Sequence, residues 1–183
     1  MKKLFLFIAC VLSITSLTAQ NSQKHYVYGV DFSQVKVYAA QESIEQFAEA
    51  FEGINLLLAS ESSKYDFSAI LGCKYSLVLD PIMKILSSTN FSKIKVYSKN
   101  LNEIDYAECI KRYKLPQKEG VGFVIIAKLL DKPNDSGRYT LIKFDIATRE
   151  ILLQQDAIGA ARGFGLRNFW AGSVYNIIKS TKL

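Results

Sequence analysis

Apolar side chains recur at two different spacings in the C-terminal half of the chain, and the spacing separates predicted strands from predicted helices. Over residues 138–146 apolar and polar positions alternate, which is the period of a half-buried strand. Over residues 166–178 apolar positions recur every three or four residues, which is the period of a helix with one buried face. That helical stripe comprises Leu166, Phe169, Trp170, Ser173, Val174, Ile177 and Ile178. We therefore expect a closing C-terminal helix that covers the core through Phe169 and Trp170.

The C-terminal third predicts a three-stranded antiparallel meander. Residues 121–130 form a strongly apolar strand, and the turn-rich loop 131–137 separates it from the alternating segment 138–146. A tight connection at residues 147–149 then leads to a third strand at residues 150–156. The pattern predicts an α+β fold in which a mostly antiparallel sheet has its helices packed on one face.

Shorter elements precede the meander, and no repeat, low-complexity tract or linker divides them. Gly53 is a candidate C-cap for the first helix, although residues 54–58 also fit a continuation of it. The predicted elements are extended chain at 26–39, a helix from Gln41 to about Phe51, a short helix capped by Asp66 and ended by Gly72, a strand at 75–79, a helix starting at Asp80 and Pro81, a strand at 94–97, and a helix from Asn102 to about Tyr113. This organisation predicts one globular domain.

The N-terminus has the pattern of a secretory signal peptide. Lys2 and Lys3 precede an apolar run at residues 4–14, and cleavage is expected after Ala19. The run is shorter than the roughly 20 apolar residues that span a membrane, and Cys10 lies inside it, poorly placed for lipidation. We therefore expect an exported protein, periplasmic or extracellular, with no integral membrane span after cleavage.

Composition limits the partners of the mature chain. Removing residues 1–19 from the 183 leaves 164, which suits a single domain at residues 20–183. The formal charge falls from +6 to +4 once Lys2 and Lys3 are removed, a surplus that indicates solubility rather than nucleic-acid binding. The remaining Cys73 and Cys109 fit either a disulfide, which an oxidising compartment permits, or two buried thiols.

Most familiar catalytic and cofactor motifs are missing from the sequence. His25 is the only histidine, so a Ser-His-Asp or Cys-His arrangement has a single possible base, near the start of the mature chain. Two scattered cysteines do not make a zinc site, and no phosphate-binding glycine loop is present. Gly163 and Gly165 lie between a strand and a helix, but Asn168 replaces the third glycine of a dinucleotide fingerprint. We predict no catalytic residue, metal or cofactor.

The strongest candidate binding residues are Arg162, Arg167 and Asn168. The two arginines flank a helix N-terminus, whose free amides are suited to an anion. In the alternative interpretation both arginines are surface charges or pair with local acids, and Trp170 belongs to the core.

Paired carboxylates are a second kind of candidate chemistry, that of a hydrolase. Each acid also has a local structural role available, as a helix cap, in a turn or at the hairpin. The candidates are Asp80, Asp131, Asp145, Glu150 and Asp156.

Residues 121–156 resemble a strand–strand–hairpin segment of periplasmic and outer-membrane accessory proteins with a CsgG-like or TolB N-terminal-like α/β domain. The resemblance rests on the turn with Asp145 and Thr148, although Arg149 stands where that group has glycine. The ending at residues 163–171 resembles that of uncharacterised exported proteins of Bacteroidetes-type bacteria. These resemblances imply an envelope location and carry over no functional residues.

We therefore expect a non-enzymatic binding or accessory module of the bacterial cell envelope, contacting an envelope protein or a glycan. Two alternatives remain: a hydrolase of unfamiliar type with acidic residues in a cleft, and a small-ligand-binding protein. A cleft with two or more carboxylates favours the hydrolase, and a closed apolar cavity favours the small-ligand binder. An exposed apolar or aromatic patch favours the binding module.

Overall fold

A computed structural model describes residues 23–183, so the predicted signal peptide and its cleavage site lie outside the described residues. The strands are β1 His25–Asp31, β2 Lys36–Tyr38, β3 Ser76–Leu77, β4 Lys95–Val96, β5 Val121–Asp131, β6 Ser136–Asp145 and β7 Ile151–Ala160. The helices are α1 Ile44–Ser60, α2 Ser68–Leu71, α3 Asp80–Ser88, α4 Tyr106–Lys111 and α5 Leu166–Ser180.

The strand β5 lies at the centre of a curled, half-barrel sheet. On one side it pairs in parallel with β1 along its first half and with β2 along its second half. The strands β3 and β4 extend these pairings, also in parallel. On its other side β5 pairs antiparallel with β6, and β6 in turn pairs antiparallel with β7.

The predicted mostly antiparallel sheet is therefore wrong, because four of the six strand pairings within residues 23–183 are parallel. Alternation identifies a strand but not its neighbour. The strands β1 and β2 reach β3 and β4 only after long connections that contain helices, and such crossovers produce parallel pairing. Antiparallel pairing is confined to β5, β6 and β7, where short connections join consecutive strands.

Helices cover both faces of the sheet, so the expectation of a single helical face is also wrong. Neighbouring residues of a strand point to opposite faces. On β6, the Tyr139 hydroxyl shares a hydrogen bond with Ser173 Oγ of α5. The next residue, Thr140, has its Oγ1 atom 2.8 Å from the hydroxyl of Tyr106, the first residue of α4. The burial of all but one residue of the central strand β5 follows from this double cover, since side chains of both faces are enclosed.

Local signals explain where most helices begin and end. Ser43 and Gln46 form a reciprocal capping box at the start of α1, which then runs through Gly53 to Ser60. Asp66 accepts a hydrogen bond from the Ser68 amide before α2, and Gly72 ends that helix with a left-handed backbone. The continuation of α1 past Gly53 follows from its buried face, which includes Phe51, Ile54 and Leu58.

Three predicted N-caps are wrong. The N-cap of α2 is Phe67 rather than Asp66, and Phe67 makes no side-chain hydrogen bond. The cap of α3 is Leu79, which makes no side-chain hydrogen bond, while Asp80 lies in the first turn of the helix. The helix α4 starts later than predicted, because Asp105 rather than Asn102 caps it through the Glu108 amide at 2.9 Å.

The C-terminal helix lies where the apolar stripe predicts it. Trp170, Val174, Ile177 and Ile178 are fully buried, whereas Phe169 is only half-buried. Neither Cys73 nor Cys109 is in a disulfide, and Cys109 is buried. No helix among residues 23–183 has the length and apolar character needed to cross a membrane.

Candidate functional site

The three predicted binding residues line one cleft, which we call the arginine cleft. It has a volume of about 590 Å³ and lies between the turn after α1, the β7–α5 loop and the part of α5 up to Asn176. Arg162 comes from the loop, and Arg167 and Asn168 come from the first turn of α5. The side chains on which its chemistry depends are Lys64, Tyr65, Arg162, Phe164, Arg167 and Tyr175.

Close backbone packing positions the loop against α5. Gly163 has a φ of 138°, and a Cβ atom there would lie 2.7 Å from the Asn168 carbonyl oxygen. A Cβ atom on Gly172 would collide with the Arg162 carbonyl oxygen. The loop can therefore lie on the helix only because both positions lack side chains, and this contact presents Arg162 beside the helix N-terminus.

The two arginines have no counter-charge within the part of the chain that the structure describes, where neither forms an ion pair. Both side chains are exposed, and the Arg167 Nε atom donates to Asn168 Oδ1 at 3.1 Å. The alternative in which both arginines pair with local acids is thus not found in the described residues. The other two elements of that interpretation are found, because both arginines are exposed at the surface and Trp170 is fully buried in the core.

Arg167 occupies an electrostatically unfavourable position. The N-cap of α5 is Gly165, which provides no side-chain hydrogen bond, and the first turn contains no acidic residue. The first-turn amides of a helix carry partial positive charge and normally attract a negative side chain. Here the first turn carries Arg167 instead, so the charge pattern suits an external anion.

Lys64 and Tyr65 reach the cleft from the turn after α1 and could not be found from local sequence. Lys64 Nζ lies 2.8 Å from Glu61 Oε2, and this hydrogen bond raises the pKa of Lys64. Tyr65 is buried, which raises the pKa of its hydroxyl, and its ring meets Tyr175 edge to face at 6.1 Å. The two rings form one wall of the cleft.

Phe164 provides the most exposed aromatic surface near the cleft. Its side chain is 96% exposed, and it lies between the two glycines of the β7–α5 loop. An exposed phenylalanine has no packing role in the monomer, so its ring is available for contact with a ligand or partner.

A second cleft lies on the opposite face of the sheet, and we call it the sheet cleft. Its volume is about 790 Å³, between β5–β7 and the segment 99–106. Asp156 Oδ1 accepts a hydrogen bond from Thr140 Oγ1 at 2.6 Å, and Lys128 Nζ lies 3.1 Å from Asp156 Oδ2. Since Thr140 gives its only proton to Asp156, the Tyr106 hydroxyl donates to Thr140. The polar groups of this network therefore satisfy one another.

The five candidate carboxylates are not gathered into one site. Asp156 alone among them lines the sheet cleft, where the other acidic lining residue is Glu103. Asp145 accepts hydrogen bonds from the Thr148 amide and hydroxyl in the β6–β7 turn, and these lower its pKa. Asp80 and Glu150 lie at the start of α3 and before β7, respectively.

Two other candidate carboxylates, Asp131 and Asp156, also have lowered pKa values. Burial opposes this for Asp131, but hydrogen bonds from Lys99 and Asn134 outweigh it and hold the pKa below its usual value. For Asp156, burial raises the pKa, but the hydrogen bonds from Thr140 and Lys128 outweigh burial and lower it. A general acid at neutral pH needs a raised pKa, so these groups do not suit that role.

His25 and Cys73 line a third cleft of about 540 Å³ beside the start of β1. No hydrogen bond joins them among the described residues, where no cluster of metal-ligating side chains occurs either. A paired thiol and imidazole is therefore not assembled there.

Sequence reasoning found the half of the arginine cleft that is contiguous in the chain and missed the half that α1 contributes. The suggested relation to CsgG-like or TolB N-terminal-like domains remains an expectation from residues 121–156. None of the known protein-family models, curated proteins or solved structures matches this chain.

Proposed function

We propose that this protein is an exported, non-enzymatic binding module of the bacterial cell envelope, and that its arginine cleft holds an anionic ligand. One observation carries the proposal. Arg162 and Arg167 face one cleft without forming an ion pair among the described residues, and one of them lies at the positive end of a helix. An anion in the cleft would neutralise both side chains and the helix terminus.

The class of ligand that fits this cleft is an acidic glycan. Guanidinium groups bind carboxylate and sulfate oxygens through paired hydrogen bonds. The rings of Phe164 and Tyr175 add apolar surface, which suits the carbon skeleton of a sugar ring. The cleft lining contains three basic residues and one acidic residue, Glu61, so its net charge is positive.

The non-enzymatic part of the proposal rests on the carboxylates. Asp131, Asp145 and Asp156 all have pKa values below normal and act as hydrogen-bond acceptors for structural partners. A glycosidase of the usual kind needs one carboxyl group that is still protonated at working pH. The sheet cleft does contain two carboxylates, Glu103 and Asp156, which is the arrangement expected of a hydrolase. Because the pKa of Asp156 is lowered, that residue does not suit the role of general acid, and the hydrolase alternative has weaker support than binding.

Binding is tested by calorimetric titration with oligogalacturonate as a carboxylated glycan probe and maltohexaose as its neutral counterpart. We expect the acidic oligosaccharide to bind and the neutral one not to. The double variant Arg162→Ala/Arg167→Ala should weaken binding by at least about 10-fold, because hydrogen bonds to charged groups contribute about 1.5–3 kcal/mol each. Chromatography of the probe afterwards should recover it uncleaved.

The matched control is Lys111→Ala/Lys114→Ala, which removes the same charge from exposed positions at the end of α4 and after it. Equal weakening by both double variants would show diffuse attraction to the net charge and would contradict a site in the cleft. Cleavage of the probe would contradict the non-enzymatic assignment. Recovery of an envelope protein in place of glycan binding would reassign the class of partner.

Export has its own test, because it rests on residues 1–19 alone. Full-length protein expressed in a Bacteroidetes host should be recovered from the periplasmic or extracellular fraction with Gln20 as its first residue, as read by mass spectrometry. Recovery of the uncleaved chain from the cytoplasm would contradict this half of the proposal.

A further inference from the structure

The strand β7 is an open edge of the sheet. Within residues 23–183 it pairs with β6 alone, and its ten residues from Ile151 to Ala160 make it one of the longest strands. The outer backbone N–H and C=O groups of such a strand are a template for pairing with another strand.

From Leu153 to Ala160 the edge lacks most of the features by which proteins prevent strand pairing, although a register shift against β6 marks a β-bulge at Leu152. Natural edge strands are usually protected by charged side chains, especially lysines, or by prolines. In β7 the only charged residue is Asp156, and proline is absent from the strand. Two large apolar side chains are instead exposed, Leu152 at 53% and Ile158 at 67%. The strand is therefore suited to pairing rather than guarded against it.

We propose that the partner of β7 is a second copy of β7, paired antiparallel about a two-fold axis at Gln155. In this register each residue lies opposite the residue that is equally far on the other side of Gln155. Leu152 of each copy then lies opposite Ile158 of the other, so the two exposed apolar side chains cover each other. Asp156 lies opposite the uncharged Gln154, and Gln155 lies opposite its own copy.

The neighbouring symmetric registers lack this fit. An axis at Asp156 places two carboxylates directly opposite each other, which is destabilising. An axis at Gln154 places Leu152 opposite Asp156, which leaves the apolar side chain against a charge. Charge and apolar complementarity together select the axis at Gln155. The pairing makes one continuous sheet of both copies and is independent of what the arginine cleft binds.

The first test is the mass of the purified protein in solution, measured by light scattering during size-exclusion chromatography. We expect twice the monomer mass. Ile158→Lys should give the monomer, because it places a charge against Leu152 at both ends of the paired segment. The control Leu56→Lys changes a side chain of α1 with comparable exposure, 57%, and should leave the dimer intact. Both positions are exposed, so neither variant should unfold the protein.

The second test measures the register by disulfide cross-linking in a Cys73→Ser background. Residues directly opposite in an antiparallel pair have Cα atoms about 4.5–5.5 Å apart, within the reach of a disulfide. Under mild oxidation Gln155→Cys should therefore cross-link to its own copy. Leu153→Cys should not do so alone, but should cross-link when mixed with Ala157→Cys, which lies opposite it in this register.

Several results would overturn the proposal. The proposal is wrong if the protein is a monomer at all concentrations tested. It is also wrong if the protein is a dimer that Ile158→Lys leaves unchanged and in which Gln155→Cys fails to cross-link. A monomer whose β7 is protected from hydrogen exchange only by an extended segment of another protein would show that the edge serves a different partner.

Discussion

The arginine cleft and the sheet cleft contain the same number of basic side chains but differ in how these are neutralised. The sheet cleft contains Lys99, Lys128 and Arg138, and the arginine cleft contains Lys64, Arg162 and Arg167. In the sheet cleft two of the three are ion-paired, whereas in the arginine cleft only Lys64 is. The comparison teaches that unpaired charge, rather than the number of basic residues or the size of the cleft, identifies a candidate anion site.

The difference follows from the elements that form each cleft. In the sheet cleft Asp156 is directly opposite Thr140 on the neighbouring strand, so strand register places an acid beside Lys128. In the arginine cleft the basic side chains come from a loop and a helix N-terminus whose first turn contains no acid. Three variants would break or sharpen this contrast.

The largest effect is expected for Asp131→Asn, which removes the acid paired with Lys99 at 2.7 Å. Because the folded-state pKa of Asp131 is below its unfolded value of about 3.9, its stabilisation is complete above that value and is lost as the pH falls through the folded pKa. We expect the variant to lose about 2 kcal/mol of unfolding free energy at pH 7 and to show a smaller loss than wild type on acidification below about pH 4. Urea unfolding at pH 7 and pH 3 measures both.

The control for this variant is Asp135→Asn. The Asp135 side chain is 64% exposed, and its left-handed backbone tolerates asparagine. It should change the unfolding free energy by less than about 0.5 kcal/mol. If the two substitutions changed the unfolding free energy equally, the ion pair of Asp131 with Lys99 would stabilise the fold no more than an exposed charge does.

A smaller effect is expected for Asp156→Asn, which should turn the sheet cleft into a second anion site. The new amide still accepts a hydrogen bond from Thr140, but Lys128 loses its counter-charge. Titration with the acidic oligosaccharide should then show a second, weaker binding step. Glu103→Gln removes a charge from the same cleft without breaking an ion pair that the described residues form, and it should add no such step. Unchanged stoichiometry in Asp156→Asn would contradict the role that we give to unpaired charge.

The smallest effect is expected for Glu61→Gln in the arginine cleft. Lys64 is freed for the ligand, and binding of the acidic oligosaccharide should tighten by about 2- to 5-fold, as expected for one exposed charge. The unfolding free energy should change by less than about 0.5 kcal/mol. Glu49→Gln, on an exposed position of α1, is the charge-matched control and should leave affinity nearly unchanged. Weaker binding in Glu61→Gln would indicate that Glu61 itself contacts the ligand.

The candidate site was predictable to the extent that its residues are close in sequence. Arg162, Arg167 and Asn168 lie within one loop and one helical turn, so their approach is local. Lys64 and Tyr65 are about a hundred positions away, and only the packing of α1 against α5 brings them to the cleft. The network of Tyr106, Thr140 and Asp156 was missed for the same reason, because it depends on strand register and on the placement of α4.

The central position of β5 had a signal in the sequence. An apolar run without alternation is typical of a strand covered on both faces, and all but one of its eleven residues are buried. Such a strand needs helices on both sides of the sheet, which argues against the single helical face that we expected. The parallel partners had a weaker signal. The strand β2 has only three residues, and β1, although five of its seven residues are buried, is not a continuous apolar run because tyrosine, glycine and aspartate interrupt it.

The sequence by itself determined the local elements: the capping box at Ser43, the left-handed stop at Gly72, the alternation of β6 and the apolar stripe of α5. These depend on interactions between residues a few positions apart. Only the tertiary structure decided which strands pair, which face each helix covers and which basic side chains keep no counter-charge. Those properties depend on contacts between distant segments, and local periodicity contains no information about them.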